Sequence, residues 1–387
     1  MIRVALIGTG SIFRFHVEAY CAFPQRCTIV ALADIIPEKC RETKKQYHLT
    51  EAEVFDSHIA MLEALKGKID LVDICTPPFC HARIAIDCLN AGCNVVVEKP
   101  MAASLAECDA MLDAQKQNGT MLACIAQNRF RDEVMALKKI VDSGLIGRVL
   151  HAQVDSLWWR GLSYYDLWWR GTWKSEGGGC TLNHAVHHID LLIWMLGMPE
   201  KVTAVLANAA HHNAEVEDIS IAILQYPQGA LAHITSSVIH HGEEQQLIFQ
   251  GEKARVSVPW KVCANRAAPN GFPQEAHDSD LEQKLTDCKQ SLPPLQYTAH
   301  KGELDNILKA LEQQKPPFIT GIDGRNTLEL ITAIYKSGAT GTTVKLPLTK
   351  DDPFYTVEGI MAGVPHFYEK SASVADFTGA ITTGRQL

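Results

Sequence analysis

Short apolar runs alternate with helical patterns over residues 1–125, and that alternation constrains the fold more than any other feature of the chain. The runs are Ile2 to Ile7, Cys27 to Ala33, Leu71 to Cys75, Asn94 to Val97 and Met121 to Ile125. Helix periodicity lies between them, at Ser11 to Ala22, Pro37 to Tyr47 and Cys80 to Ala91. Strand, crossover helix and strand in succession build a parallel sheet. Strands buried on both faces read as near-continuous Val, Ile and Leu, as these do. The expected class is α/β with a doubly wound parallel sheet.

The pattern changes near Gln127. Helical residues Glu133 to Val141 run into Gly144, a plausible helix stop. Alternating strands follow at Val149 to Leu157, Lys201 to Ala207 and Asp218 to Gln225. Tyr226-Pro227-Gln228-Gly229 has turn chemistry, so Ala230 to Val238 is expected as the return strand. Gln246 to Gln250 and Ala254 to Val258 continue the series. Residues 264–296 are polar and Pro-rich and read as a surface excursion, and helical patterns return at Gly302 to Gln313 and Asn326 to Ser337. At 387 residues the chain exceeds the roughly 250–300 at which one core stops growing. Two domains are expected, residues 1–126 and residues 127–387.

Several partner classes are excluded. The net charge is −8 with no basic block, which argues against nucleic acid and anionic lipid. No apolar run approaches the ~18 residues of a membrane span, and the N-terminus makes a poor signal peptide. Twelve scattered Cys fit reduced thiols in a cytoplasmic protein.

Gly8-Thr9-Gly10 follows the first strand and precedes the first helix. Glycine there allows a tight turn and close approach of a pyrophosphate, and the helix N-terminus adds amide donors. Phe13 stands where a third glycine is usual. Asp34 ends the second strand, where a carboxylate accepts from ribose hydroxyls and repels a 2′-phosphate. Ile35 and Ile36 supply no cation, so NAD is expected over NADP.

These features, with Thr76-Pro77-Pro78, His81 and Glu98-Lys99-Pro100, resemble the Gfo/Idh/MocA family of sugar and inositol dehydrogenases. Gln127-Asn128-Arg129-Phe130, Trp169-Arg170-Gly171-Thr172-Trp173, Gly177-Gly178-Gly179, Asn183 through Asp190, Asp323-Gly324-Arg325-Asn326 and Leu346-Pro347-Leu348 extend the resemblance to about Tyr355. It implies a Rossmann domain followed by an α+β domain with a large open, mostly antiparallel sheet, whose face forms a homo-dimer or homo-tetramer. It also implies NAD contacts from Gly8, Gly10, Ser11, Ile12, Asp34, Thr76, Pro77, His81, Glu98, Lys99 and Asn128.

For chemistry, Lys99 at a strand end suits an ammonium that holds a substrate hydroxyl. His187, four residues after Asn183, is expected on the same helical face, where its neutral imidazole takes the hydroxyl proton. Asn183 replaces the Asp of many relatives and can orient substrate without carrying charge. His184 is a further candidate contact, and His188 reads as packing. A metal held by His184, His187 and Asp190 was weighed against this, and no metal is expected. Leu157-Trp158-Trp159-Arg160-Gly161 recurs as Leu167-Trp168-Trp169-Arg170-Gly171. Aromatic faces suit sugar C–H faces, and Tyr165, Arg170 and Trp173 are expected to line the site, with Trp158 and Trp159 as packing. The expected activity is reversible NAD-dependent oxidation of a secondary hydroxyl on a cyclic polyol, sugar or glycoside. The alternatives are a glycosidase using transient C3 oxidation and a non-catalytic NAD sensor.

Overall fold

The computed structural model describes residues 1–375. Six strands form the first sheet: β1 (Ile2–Ile7), β2 (Cys27–Ala33), β3 (Glu53–Phe55), β4 (Leu71–Ile74), β5 (Asn94–Val97) and β6 (Leu122–Cys124). All are parallel, in the order β3-β2-β1-β4-β5-β6. The reversal at β1 leaves a crevice beyond the carboxyl ends of β1 and β4, where ligands of such sheets bind. The crossovers are α1 (Phe13–Cys21), α2 (Pro37–Gln46), α3 (His58–Ala64), α4 (Pro78–Asn90) and α5 (Leu105–Asn118). The strand at 53–55 and α3 had no separate sequence signal, because a three-residue edge strand carries no readable period.

After α6 (Asp132–Ser143) and β7 (Val149–Leu157) come α7 (Cys180–Asn183), α8 (Val186–Leu196), β8 (Lys201–Ala207), β9 (Ile219–Gln225), β10 (Leu231–Ser237), β11 (Gln245–Gly251), β12 (Arg255–Val258) and β13 (Lys261–Cys263). With β16 (Val344–Lys345) they make an eight-stranded sheet, β13-β12-β11-β7-β10-β9-β8-β16. It is antiparallel except where β10 pairs with β7. The Tyr226 to Gly229 turn joins β9 to β10 as its residues predict. Alternate residues of β9 are buried and exposed, and one sheet face presents Val205, Ile221, Ile223 and Leu231 to solvent.

The excursion at 264–296 contains a small hairpin, β14 (Asn265–Ala267) and β15 (Pro273–His277), and a helix, α9 (Ser279–Gln290). Then α10 (Ala299–Gln313), α11 (Gly321–Thr340) and α12 (Val357–Gly363) follow. α11 starts earlier than its apolar period suggests because Thr320 and Asp323 cap it reciprocally. The division at residue 127 needs one amendment. α10 packs back on α1, and Leu304, Ile307 and Leu308 share a core with Val17 and Tyr20. The second unit thus closes the outer face of the first. Among the described residues no helix is long and apolar enough to cross a membrane.

Candidate active site

The glycine loop is shaped for a ligand. Gly8 has φ +89°, and a Cβ there would lie 2.9 Å from the carbonyl carbon and oxygen of Cys75. A Cβ at Gly10 would meet nothing within 4 Å, so that side of the loop is open. Ser11 and Ile12 lead into α1, whose N-terminus has no side-chain cap, while the amides of Phe13 and Phe15 donate to the Gly10 and Ile12 carbonyls. The packing cost of Phe13 does not arise, because its ring is buried in the core beneath α1.

Asp34 grips the loop itself. Its Oδ2 accepts from Thr9 N at 2.7 Å and Thr9 Oγ1 at 2.8 Å, and Oδ1 accepts from Ile36 N at 2.9 Å. Thr76 Oγ1 is buried without a protein partner, an orphan that a bound dinucleotide would satisfy. Pro77 caps α4 beside it. These observations fit NAD across the β1–β4 crevice.

Two expected cofactor contacts look elsewhere. His81 is fully buried, with Nε2 2.7 Å from Thr76 O and Nδ1 2.9 Å from Pro100 O. It braces two loops and has no ring nitrogen left for a dinucleotide. Burial also pushes its pKa down, so only one of those nitrogens donates at a time. The Glu98 carboxylate likewise points inward, as described below. Asn128 is buried in the short 3₁₀ turn at the junction (Gln127–Arg129).

Lys99 follows β5, and its Nζ donates to the Asn183 backbone carbonyl at 3.0 Å. Burial lowers its pKa, while Glu98 opposes that shift. Lys99 and His187 line one cavity, together with Cys124, Thr327 and Ile331. Burial, reinforced by the charge on Lys99, pushes His187 well below the usual histidine range, so its imidazole is neutral at pH 7.

The shared helical face of Asn183 and His187 does not form. The helix is interrupted at His184 and Ala185, between α7 and α8. The turn before α7 is tightly packed. A Cβ at Gly178 would lie 2.1 Å from Tyr335 Oη, and one at Gly179 1.8 Å from Glu217 O. Glu217 then accepts from the amides of Gly179 and Thr181 and from the Tyr335 hydroxyl, at 2.9–3.0 Å. Asn183 Nδ2 donates back to Gly178 O at 2.9 Å, so its amide donors secure the turn, and the backbone carbonyl is the group presented to Lys99.

His184 lies against Trp158 and Tyr164, with Nδ1 buried and unpartnered, and burial holds its pKa well below normal. His188 is in the core and pushed down to about 3 by burial. Asp190 is not available to a metal beside them. It makes a paired contact with Arg129, whose Nε and Nη2 donate at 2.9 and 2.7 Å.

The aromatic segment differs most from expectation. Trp173 is 2% exposed, packs edge-on against Tyr335, and donates Nε1–H to Pro365 O at 3.0 Å. Tyr165 is equally buried, edge-on to His211 and Tyr164. Both are packing residues. Their neighbours take the exposed roles: Trp168 is 44% exposed and meets Phe79 of α4 edge-on at 6.3 Å. Arg170 lies near Lys99, whose pKa its charge helps to lower. Its guanidinium lies between the Tyr164 and Trp169 rings at 4.4 and 4.2 Å, and Nη1 donates to buried Glu176 at 2.7 Å. Glu176 and Glu217 carry no sequence signal of their roles. Their partners lie far along the chain or in an irregular loop, so no spacing announces them.

Residues 2–125 match the family model "Oxidoreductase family, NAD-binding Rossmann fold", and residues 134–257 match "GFO/IDH/MocA C-terminal domain". The D-glucoside 3-dehydrogenase of Escherichia coli is 24% identical over 89% of this chain and 97% of its own. The 2,7-anhydro-N-acetylneuraminate hydratase of Mediterraneibacter gnavus is 26% identical over 86% of each. The WlbA dehydrogenase of Bordetella pertussis, solved with NADH and UDP-GlcNAcA, superposes with a TM-score of 0.75 at 30% identity over 90% of this chain and 99% of that one. A Rossmann domain with a fitted NAD crevice, a lysine at the end of its fifth strand and this second sheet make the chain a member of the GFO/IDH/MocA family, an NAD-dependent oxidoreductase.

Proposed function

We propose that the protein oxidises, reversibly, a secondary hydroxyl of a cyclic polyol, sugar or glycoside. One observation carries this reading: the Lys99 ammonium, held by the Asn183 carbonyl just beyond the end of β5, lies close enough to His187 for its charge to help keep that imidazole neutral. Bound NAD supplies the nicotinamide ring that accepts hydride. Lys99 Nζ, held by the Asn183 carbonyl, keeps further donors for the substrate oxygen. It stabilises negative charge as the hydroxyl proton leaves. His187 receives that proton, which its depressed pKa permits at neutral pH. Asp34, braced on Thr9, presents carboxylate to the adenosine ribose, and Arg170 and His184 border the substrate.

The test is NADH formation across a panel of inositols, free sugars and glycosides. His187→Ala is expected to lower kcat by roughly 100-fold. A variant within tenfold of the parent at pH 7 would remove His187 from this role.

The relative named as a hydratase favours a second reading, in which C3 is oxidised with reduction of NAD, the substituent is eliminated, water adds to the resulting enone, and the hydride returns from NADH to C3 so that NAD is regenerated. Glycoside cleavage without net NADH would support it, and net NADH would exclude it. The apolar sheet face at Val205, Ile221 and Ile223 is, on the same reading, covered by a second copy, which sedimentation of the intact protein checks.

A further inference from the structure

Beneath the proposed Lys99 site lies a buried chain of charged side chains that the reaction as described does not use. His16, in α1, has both ring nitrogens engaged: Nδ1 is 2.8 Å from Asp73 Oδ2 and Nε2 is 2.9 Å from Glu98 Oε1. All three residues are buried, His16 and Asp73 completely. Asp73 also accepts from Tyr20 Oη at 2.9 Å, and Cys75 Sγ lies 3.6 Å from its other oxygen. On the far side, His300 of α10 places Nε2 3.4 Å from Glu98 Oε1, stacked on Phe15 at 5.3 Å. Glu98 Oε2 closes the chain by accepting the backbone amide of Lys99 at 3.0 Å.

The chemistry fixes the protonation. An imidazole between two carboxylates satisfies both only when each nitrogen donates, which requires the cation. Burial alone would drive the proton off, but the charges and hydrogen bonds of Asp73 and Cys75 together outweigh it, so His16 is held well above the usual histidine range. Glu98 is held well below the carboxylate range despite its burial, by hydrogen bonds from His16 and from the His300 side. One cation between two anions leaves one net negative charge under Lys99. A metal held by His16, Glu98 and His300, or by His16, Asp73 and Cys75, would replace one of the two ring contacts of His16.

We propose that His16 is a positioning residue: its imidazolium ties the helix after the glycine loop to the Glu98–Lys99 turn and so sets where the Lys99 ammonium meets the substrate. The proposal rests on the reading of Lys99 given above. Lys99 is reached through Glu98, whose side chain holds the lysine's amide while His16 and Asp73 hold that side chain. Two walls of the crevice, the end of β1 with α1 and the end of β5, are thereby fixed to one ion.

The test uses the intact protein and the panel substrate that gives the most NADH, with active sites counted by bound NADH fluorescence. Histidine-labelled ¹⁵N spectra of the parent are expected to show one imidazolium persisting at pH 8, absent from His16→Gln. That variant is expected to lose about tenfold or more in kcat while KM for NAD stays within about threefold, because cooperative buried networks fail as units. His16→Gln with Asp73→Asn restores the single net negative charge and is expected to recover at least about threefold of the loss.

A neutral His16 at pH 7, a His16→Gln kcat within threefold of the parent, or a double variant no better than the single would each overturn the proposal. Should His16→Gln not fold, Asp73→Asn carries the test. Its imidazolium is expected to titrate as pH rises, with kcat falling in step where the parent is flat. A profile superimposable on the parent's overturns the proposal. Lys99→Ala separates the two readings: if it stays active the reading of the site fails, and if only the His16 arms fail that reading stands.

Discussion

Leu-Trp-Trp-Arg-Gly occurs at 157–161 and again at 167–171, and the two copies expose opposite tryptophans, Trp159 in the first and Trp168 in the second. The first copy continues β7. Trp158 N donates to Ser237 O and Arg160 N to Val238 O, both at 2.8 Å, so the strand's alternation persists and Trp158 turns inward while Trp159 is 44% exposed. The second copy has no strand beside it. Trp168 N donates to Val374 O at 2.9 Å, and Lys370 Nζ reaches the carbonyls of Tyr165, Leu167 and Arg170. There the first tryptophan turns out. What the backbone pairs with, and not the local sequence, decides which indole is available to a sugar. The arginines do converge: both guanidiniums face the Tyr164 ring, and each is paired with a glutamate, Glu243 or Glu176.

The arginines give the largest expected contrast. Arg170→Ala strands Glu176, whose side chain is 1% exposed, and is expected to cost about 3–5 kcal/mol. Arg160→Ala leaves the more accessible Glu243 and is expected to cost on the order of 1 kcal/mol. Urea denaturation checks both, and equal losses would erase the distinction between the copies.

The tryptophans come next. Trp158→Ala is expected to cost about 3–5 kcal/mol as a buried indole is lost, and Trp173→Ala should behave like it. Trp168→Ala should barely move stability but raise KM for a pyranoside several-fold to about tenfold, since stacking persists from ground to transition state. A large stability loss at Trp168 with unchanged KM would make the second copy a packing element as well.

Lys370→Met is the smallest and most local change. Losing a donor shared by three carbonyls is expected to cost about 1–2 kcal/mol. Amide exchange should quicken over 165–171 and stay unchanged over 157–161. Equal protection in both stretches would show that the C-terminal segment does not hold the second copy.

Where backbone periodicity and glycine geometry decide the outcome, the fold was readable. β1, β2, β5, β7 and β8 fall where their apolar runs stand, and Gly8 sits in the conformation its position requires. Lys99 and His187 lie together, although no single helix joins His187 to Asn183, because the helix is interrupted at His184 and Ala185 between them. Side chains whose partners are remote in sequence were not readable. Glu176, Glu217 and His16 look like ordinary residues of a loop, a strand entrance and a helix until Arg170, Tyr335 and Asp73 arrive from elsewhere. Trp173 stands close in sequence to the Asn183–His187 segment, yet Pro365 and Tyr335 claim its ring, so nearness along the chain does not make a residue line the site.

The return of α10 to α1 bears on how the chain is made. The apolar side of α1 that Leu304, Ile307 and Leu308 cover belongs to a unit whose sheet is complete by Cys124, while α10 begins at Ala299. A ribosome adding about 5–20 residues per second needs roughly ten to thirty seconds for the intervening stretch. Through that interval the N-terminal unit lacks the cover that Leu304, Ile307 and Leu308 give α1, and His300 has yet to reach Glu98. The Rossmann unit is therefore finished only when the last third of the chain supplies α10.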